Sequence, residues 1–159
     1  MSEYHLGQIN VAHLHHPLDH DETAEFVAAL DPVNEVAESC DGFIWRLRDE
    51  DGQSSSYVPV DGIDDPLLIV NYSIWRDPES LEHFVFETGH AGFLRRRREW
   101  FERSDQPATA CWWIPAGTIP SVSDAYRRLQ HLREHGPTAQ AFPLNRPHPP
   151  PADPQSSER

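Results

Sequence analysis

Apolar and polar positions alternate along YHLGQINVA, residues 4 to 12, with Leu6, Gln8 and Asn10 on one side and Ile9 and Val11 on the other. This two-residue period predicts a first β-strand. The His- and Pro-rich stretch HLHHPLDHD breaks it. From Glu22 to about Ser39, Phe26, Val27, Leu30, Val33 and Ala37 recur at helical spacing. Pro32 falls inside that pattern at a cost of about 3 kcal/mol, so a kink or two segments meeting near Leu30 are expected. Gly42 is a stop signal, and FIWRL has the β-branched and aromatic content of a second strand. DEDGQSSSYVPVDGIDDP is turn chemistry and reads as a long surface loop. LLIVNYSIW, the most apolar run, reads as a central third strand.

Asp77-Pro78-Glu79 opens a helix, with proline in the first turn and acids at the positive end of the dipole. It runs to about Glu87. Thr88-Gly89 interrupts it, and a second helical stretch follows from His90 to about Arg103. TACWWIPA is a fourth strand. SVSDAYRRLQHLREHG is an amphipathic helix with Val122, Ala125, Leu129 and Leu132 inward and Gly136 as its stop. The polar, Pro-rich tail has no means of burying apolar area and reads as disordered, which gives a domain over 1–143 and a tail over 144–159. The β-α-β-β-α-β succession predicts an α+β, ferredoxin-like antiparallel sheet with helices on one face and an additional C-terminal helix. The sheet's other face then needs a cover, and pairing with a second copy predicts a homodimer.

The chain has 159 residues, room for one hydrophobic core. Its formal charge of −13 repels phosphate backbones, which argues against nucleic acid as a partner. All 13 basic residues are arginine, so Schiff-base and Walker-type lysines are excluded. Cys40 and Cys111 lie far apart and read as buried thiols. No apolar run approaches the roughly 18 residues of a membrane span, and no basic region precedes an apolar stretch at the N-terminus, so no membrane association and a cytoplasmic address are expected.

On a helix from His90 onward, His90, Phe93, Leu94, Arg97, Trp100 and Phe101 share one face, and carrying the stripe back across Gly89 adds Phe86 and His83. A guanidinium on an apolar stripe must be answered by a partner. In one reading Arg97 bonds carbonyls or an acid such as Asp77, and His90 is a satisfied core histidine. In the other the two line a pocket between helix and sheet, with Arg97 holding an anionic oxygen, His90 exchanging a proton, and Asn10, Trp45, Asn71, Trp75, His83, Phe86 and Trp100 shaping the walls. Arg95 to Arg98 point around the whole helix and make no single basic surface. His13, His15, His16 and His20, with Asp19 and Asp21, lack the spacing of a zinc signature, so no metal is assigned. Glycine-rich phosphate loops, G-x-S-x-G and H-E-x-x-H are absent.

The stretches GQIN, LDPVNEVAESCDGFIWRL, VNYSIW, HAGFLRRRREWF, WWIPAG and HLREHGPTAQAF together resemble an uncharacterised bacterial family of ferredoxin-like, dimeric α/β-barrel domains, over about residues 4 to 143. That family is similar in fold to the antibiotic biosynthesis monooxygenases, whose pocket lies between sheet and helices and which often act on polyketide-like substrates without metal or flavin. Related barrels include haem-binding enzymes in which a histidine ligates iron. The resemblance implies a small-molecule pocket in each subunit. The expectation is a cofactor-free tailoring enzyme, monooxygenase-like or an isomerase/cyclase, acting on a hydrophobic, oxygenated metabolite, with His90 as acid or base and Arg97 on an enolate or carboxylate. The alternatives are a haem protein with His90 or His83 as axial ligand, and a non-catalytic binding module.

Overall fold

Leu6 and Ile9 are both fully buried, and because they point to opposite faces of their strand, the sheet must be covered on both sides. The computed structural model describes residues 3–48, 65–87 and 96–151. β1 (Tyr4–His13) pairs antiparallel with β3 (Leu68–Trp75) on one side and with β4 (Thr109–Pro115) on the other, and β2 (Phe43–Arg46) pairs with β3. The order β2-β3-β1-β4, every neighbour antiparallel, is that of an α+β, ferredoxin-like sheet. Within the single chain the sheet is open and does not close into a barrel.

α1 (Ala24–Ser39) and α2 (Pro78–Glu87) lie on one face, where Ala37, Leu81 and Phe84 pack with Leu6, Trp75 and Cys111. α1 is one helix rather than two, because Pro32 stands on its exposed side, where the carbonyl it leaves unbonded can meet water. Asp77 caps α2, accepting from the Ser80 N–H at 2.8 Å. Burial raises the affinity of that carboxyl for a proton, but the hydrogen bonds from Ser80 and Arg76 outweigh it and hold Asp77 below its ordinary value.

The opposite face is covered by α4 (Val122–His135) of the same chain. Ala125, Leu129 and Leu132 pack onto Ile9, Val11, Val70, Tyr72, Trp112 and Ile114. Helices therefore flank the sheet on both sides, and the premise of the expected homodimer, a bare apolar sheet face, does not hold. Gly7 is required beneath this layer: a Cβ there would stand 2.5 Å from Ile114 Cδ1 and 2.9 Å from the Trp112 ring.

α3 (Arg97–Trp100) is a single turn that feeds Phe101 into extended backbone. Phe101 pairs with Leu14, and the His15 N–H donates to the Trp100 carbonyl at 2.8 Å. His90–Arg95, the start of the expected second helical stretch, and most of the expected surface loop lie outside the described residues.

The expected boundary after residue 143 is also corrected. Phe142 exchanges two backbone hydrogen bonds with Cys111, Leu144 packs beneath it, and the Trp113 indole N–H donates to the His148 carbonyl at 2.8 Å. The chain after β4 is thus held against that strand at least to His148. No described helix is long and apolar enough to cross a membrane.

Candidate functional site: a polar band beneath two helices

The strand register places Leu6, Gln8, Asn10 and Ala12 of β1 beside Trp75, Ser73, Asn71 and Ile69 of β3, with Thr109, Cys111 and Trp113 of β4 on the other flank. All of these point toward α1 and α2. At one end Leu6, Trp75, Ala37, Leu81 and Phe84 form an apolar cluster, and at the other Leu14, Ile69, Phe26 and Trp100 form a second. Between the two clusters the face is polar: Gln8, Asn10, Asn71, Ser73 and Thr109.

These side chains are wired together. Gln8 Nε2 donates to Asn71 Oδ1 at 3.0 Å and to Ser73 Oγ at 2.9 Å. Trp75 Nε1 donates to the same Ser73 Oγ at 2.9 Å, and Asn10 Nδ2 donates to Thr109 Oγ1 at 3.2 Å. Gln8 and Ser73 are buried, Asn10 and Thr109 half-buried, and Asn71 exposed, so the band opens to solvent at Asn71.

Asn34 of α1 stands four residues after Leu30 and three before Ala37, which pack into the two different clusters, and so lies over the band. It is 9% exposed, and its Nδ2 has no hydrogen-bond partner among the described residues. Native proteins satisfy nearly all buried donors, so an orphaned amide at this place is notable. Cys111, across the ladder from Gln8, is fully buried, and burial pushes its thiol up to about 12. The band therefore offers neutral donors and acceptors without a side chain that changes charge near pH 7.

A family model described as a domain of unknown function, DUF3291, matches residues 5–158. The chain belongs to the DUF3291 family. The crystal structure of PA3566 from Pseudomonas aeruginosa is similar to it, with a TM-score of 0.47 and 15% identity over 74% of this chain and 98% of that one. No curated protein matches the sequence.

Of the residues expected to shape a pocket in this DUF3291 chain, Asn10, Asn71 and Trp75 come together on the band. Trp45 does not: it packs on the opposite face, edge-on to Tyr72 at 5.1 Å. Trp100 is buried at the far end against Phe26, with its ring 4.8 Å from the Arg96 guanidinium. His83 and Phe86 are exposed on α2, and His83 sits 2.8 Å from Glu87. Arg97 is exposed on α3 and faces solvent rather than the core stripe. His90 lies outside the described residues.

The histidine-rich stretch is split among local contacts. His13 Nε2 lies 3.0 Å from Asp65; Glu102 lies 3.0 Å from its Nδ1 but out of line for a hydrogen bond. His15 contacts the Arg98 carbonyl at 3.2 Å, His16 pairs with Glu22 at 2.7 Å, and His20 accepts from the Glu22 N–H at 3.1 Å. Among the described residues no group of three or more His, Cys, Asp or Glu is arranged to hold a metal ion.

Pattern reading missed Gln8, Ser73, Thr109 and Asn34. The available signal was polar residues at inward strand positions, Gln8 between Leu6 and Asn10 and Ser73 between Asn71 and Trp75, together with an asparagine on the apolar side of α1.

Proposed function

We propose that the polar band binds an uncharged, oxygen-bearing small molecule in the cytoplasm, its oxygens meeting Asn71, Asn10 and Asn34. The observation that carries this reading is the buried Nδ2 of Asn34, without a partner among the described residues, above a band that opens at Asn71. Gln8 donates to Asn71 Oδ1, which fixes the amide and leaves both N–H donors of its NH2 for a ligand. Two asparagine NH2 groups favour a carbonyl or hydroxyl oxygen.

Binding is the part of the expected role that the described residues support best. A cofactor-free oxygenase or isomerase acting on a polyketide-like compound needs, in addition, an acid or base, the role that the sequence pattern gives to His90.

A panel of uncharged aromatic ketones and phenols, titrated while intrinsic tryptophan fluorescence is followed, tests the reading. Saturable quenching is expected, weakened ~10-fold or more in Asn71→Ala, while His83→Ala, on the exposed side of α2, binds normally. Probes that bind Asn71→Ala and Asn10→Ala as tightly as the unaltered protein would overturn it. With a binding probe in hand, His90→Ala separates the roles: loss of turnover at preserved affinity marks an enzyme, and no turnover in either protein marks a binding module.

A further inference from the structure

α4 gathers Arg127, Arg128, His131, Arg133 and His135 on a chain whose formal charge is −13. The overall field repels anions, so an anion held here depends on local convergence of donors. Two of the arginines already have partners: Arg127 meets Asp124 through Nη1 alone, at 3.1 Å, and keeps its other N–H donors, and Arg133 Nε donates to the Pro107 carbonyl at 2.8 Å. Arg128 differs from both. It is half-buried, its Nη1 donates to the Gln140 carbonyl at 3.0 Å, and it meets no carboxylate among the described residues. A guanidinium has five N–H donors, and one partly withdrawn from water without a counter-charge is poised for an anion.

The surroundings leave space for one. A depression of about 480 Å³ is lined by Arg127, Arg128, His131 and Gln140, and a smaller one of about 330 Å³ by Trp112, Pro120, Asp124 and the same two arginines. The Asp124 carboxylate repels an anion from the smaller space, which leaves the larger. There the Gln140 carbonyl fixes the Arg128 fork on one side, and His131, hydrogen-bonded to Thr138 Oγ1 at 3.1 Å, lines the other.

We propose that Arg128, with Arg127 and His131, forms a binding site for a small phosphate-type oxyanion, either free phosphate or the phosphate of a small organic ester. Planar two-point contact from a guanidinium matches such an anion. The site lies across the sheet from the polar band and does not depend on the function proposed for it.

Calorimetric titration of the full chain with inorganic phosphate and with phenyl phosphate, at constant ionic strength, tests this. Saturable binding is expected, weakened ~10-fold or more in Arg128→Gln, less in Arg127→Gln, and unchanged in Arg133→Gln. Tighter binding of phenyl phosphate identifies an ester as the ligand type; equal affinity identifies the free anion. Absence of saturation, or equal losses in all three variants, overturns the proposal, the latter because it reports charge alone. Arg128 also secures the Gln140 carbonyl, so thermal melts accompany the titrations. If Arg128→Gln does not fold, His131→Gln and Arg127→Gln carry the test, and unaltered binding in both overturns it.

Discussion

The Trp75 indole N–H and the Ser73 hydroxyl meet at 2.9 Å on the helix-facing side of β3, two residues apart on one strand. Gln8 Nε2 reaches the same oxygen, also at 2.9 Å, so one hydroxyl spends both lone pairs on two buried donors. Ser73→Ala orphans both, at about 1–3 kcal/mol each. Urea denaturation should show a correspondingly lower midpoint, while exposed Ser39→Ala changes stability by less than about 0.5 kcal/mol. Equal midpoints for the two variants would show that the band has no structural role.

Asn34 makes the opposite prediction. Its Nδ2 is buried with no partner among the described residues, and removing an unsatisfied donor without leaving a hole relieves a desolvation cost. Asn34→Leu should stabilise the fold by about 1 kcal/mol and, on the proposed function, weaken the aromatic ketone and phenol probes. Thermal melts and fluorescence titrations of the same preparation read both effects. A destabilised variant that binds probes normally would make Asn34 a scaffold residue.

At Gly7 the prediction rests on space rather than polarity. A methyl group there would meet the Trp112 ring and Ile114, both locked beneath α4, so Gly7→Ala should cost about 1–3 kcal/mol through overpacking. Gly117→Ala is the control for backbone conformation alone: its φ is +89° and a Cβ meets nothing within 4 Å, so only the left-handed penalty of about 1–2 kcal/mol applies. Gly7→Ala combined with Trp112→Phe should recover part of the loss, because the smaller ring makes room.

Much of this architecture is legible in the sequence, and the exceptions share a physical cause. The alternation of Leu6, Gln8 and Asn10 against Ile9 and Val11 survives unchanged, because both faces of a central strand are buried and a one-residue slip would invert them. The Ser121 cap and the Gly136 stop bound α4, as local signals do when nothing competes with them. The stripe through Arg97, Trp100 and Phe101 failed because a nonlocal pairing intervened: Phe101 leaves the helix to bond with Leu14, so Trp100 turns inward and Arg97 outward. Trp45 went to the wrong face for a similar reason. The β2–β3 register shifts between Phe43 and Trp45, and no local pattern announces such an irregularity. Gln8, Ser73 and Asn34 were overlooked because periodicity searches weigh apolar residues, whereas here the informative positions are polar ones among them.

Cys111 predicts an alkaline limit. Burial raises its thiol from 9.0 to about 12, so between those values the folded chain keeps a proton that the unfolded chain releases. Stability is therefore intact below about pH 9 and falls as the pH rises toward 12, by up to about 1.4 kcal/mol per pH unit for one group. Burial, then the nearby Asp124 charge, raises the Tyr72 phenol as well, which steepens the decline. Denaturation midpoints from pH 8 to 11 should drop less in Cys111→Val than in the unaltered protein. Iodoacetamide should label the half-buried Cys40 in the native state and reach Cys111 only in denaturant.

The segment after Phe142 gives a test of where the domain ends. Leu144 packs against the cluster around Phe142, the His148 ring stacks on Phe142 at 5.5 Å, and the His148 carbonyl accepts from Trp113 at 2.8 Å. A chain ending at Pro143 loses all three contacts and leaves the Trp113 indole N–H without that acceptor. Burial of a leucine contributes about 1.5–3 kcal/mol when complete, and Leu144 is only partly buried, so the expected loss is about 1–3 kcal/mol. A chain ending at Pro151 keeps all three contacts and should melt with the full-length protein. Trp113 emission should shift to the red in the shorter chain alone, as water replaces the covering segment. Identical melts and spectra for the two truncations would restore the boundary at 143 that composition suggests.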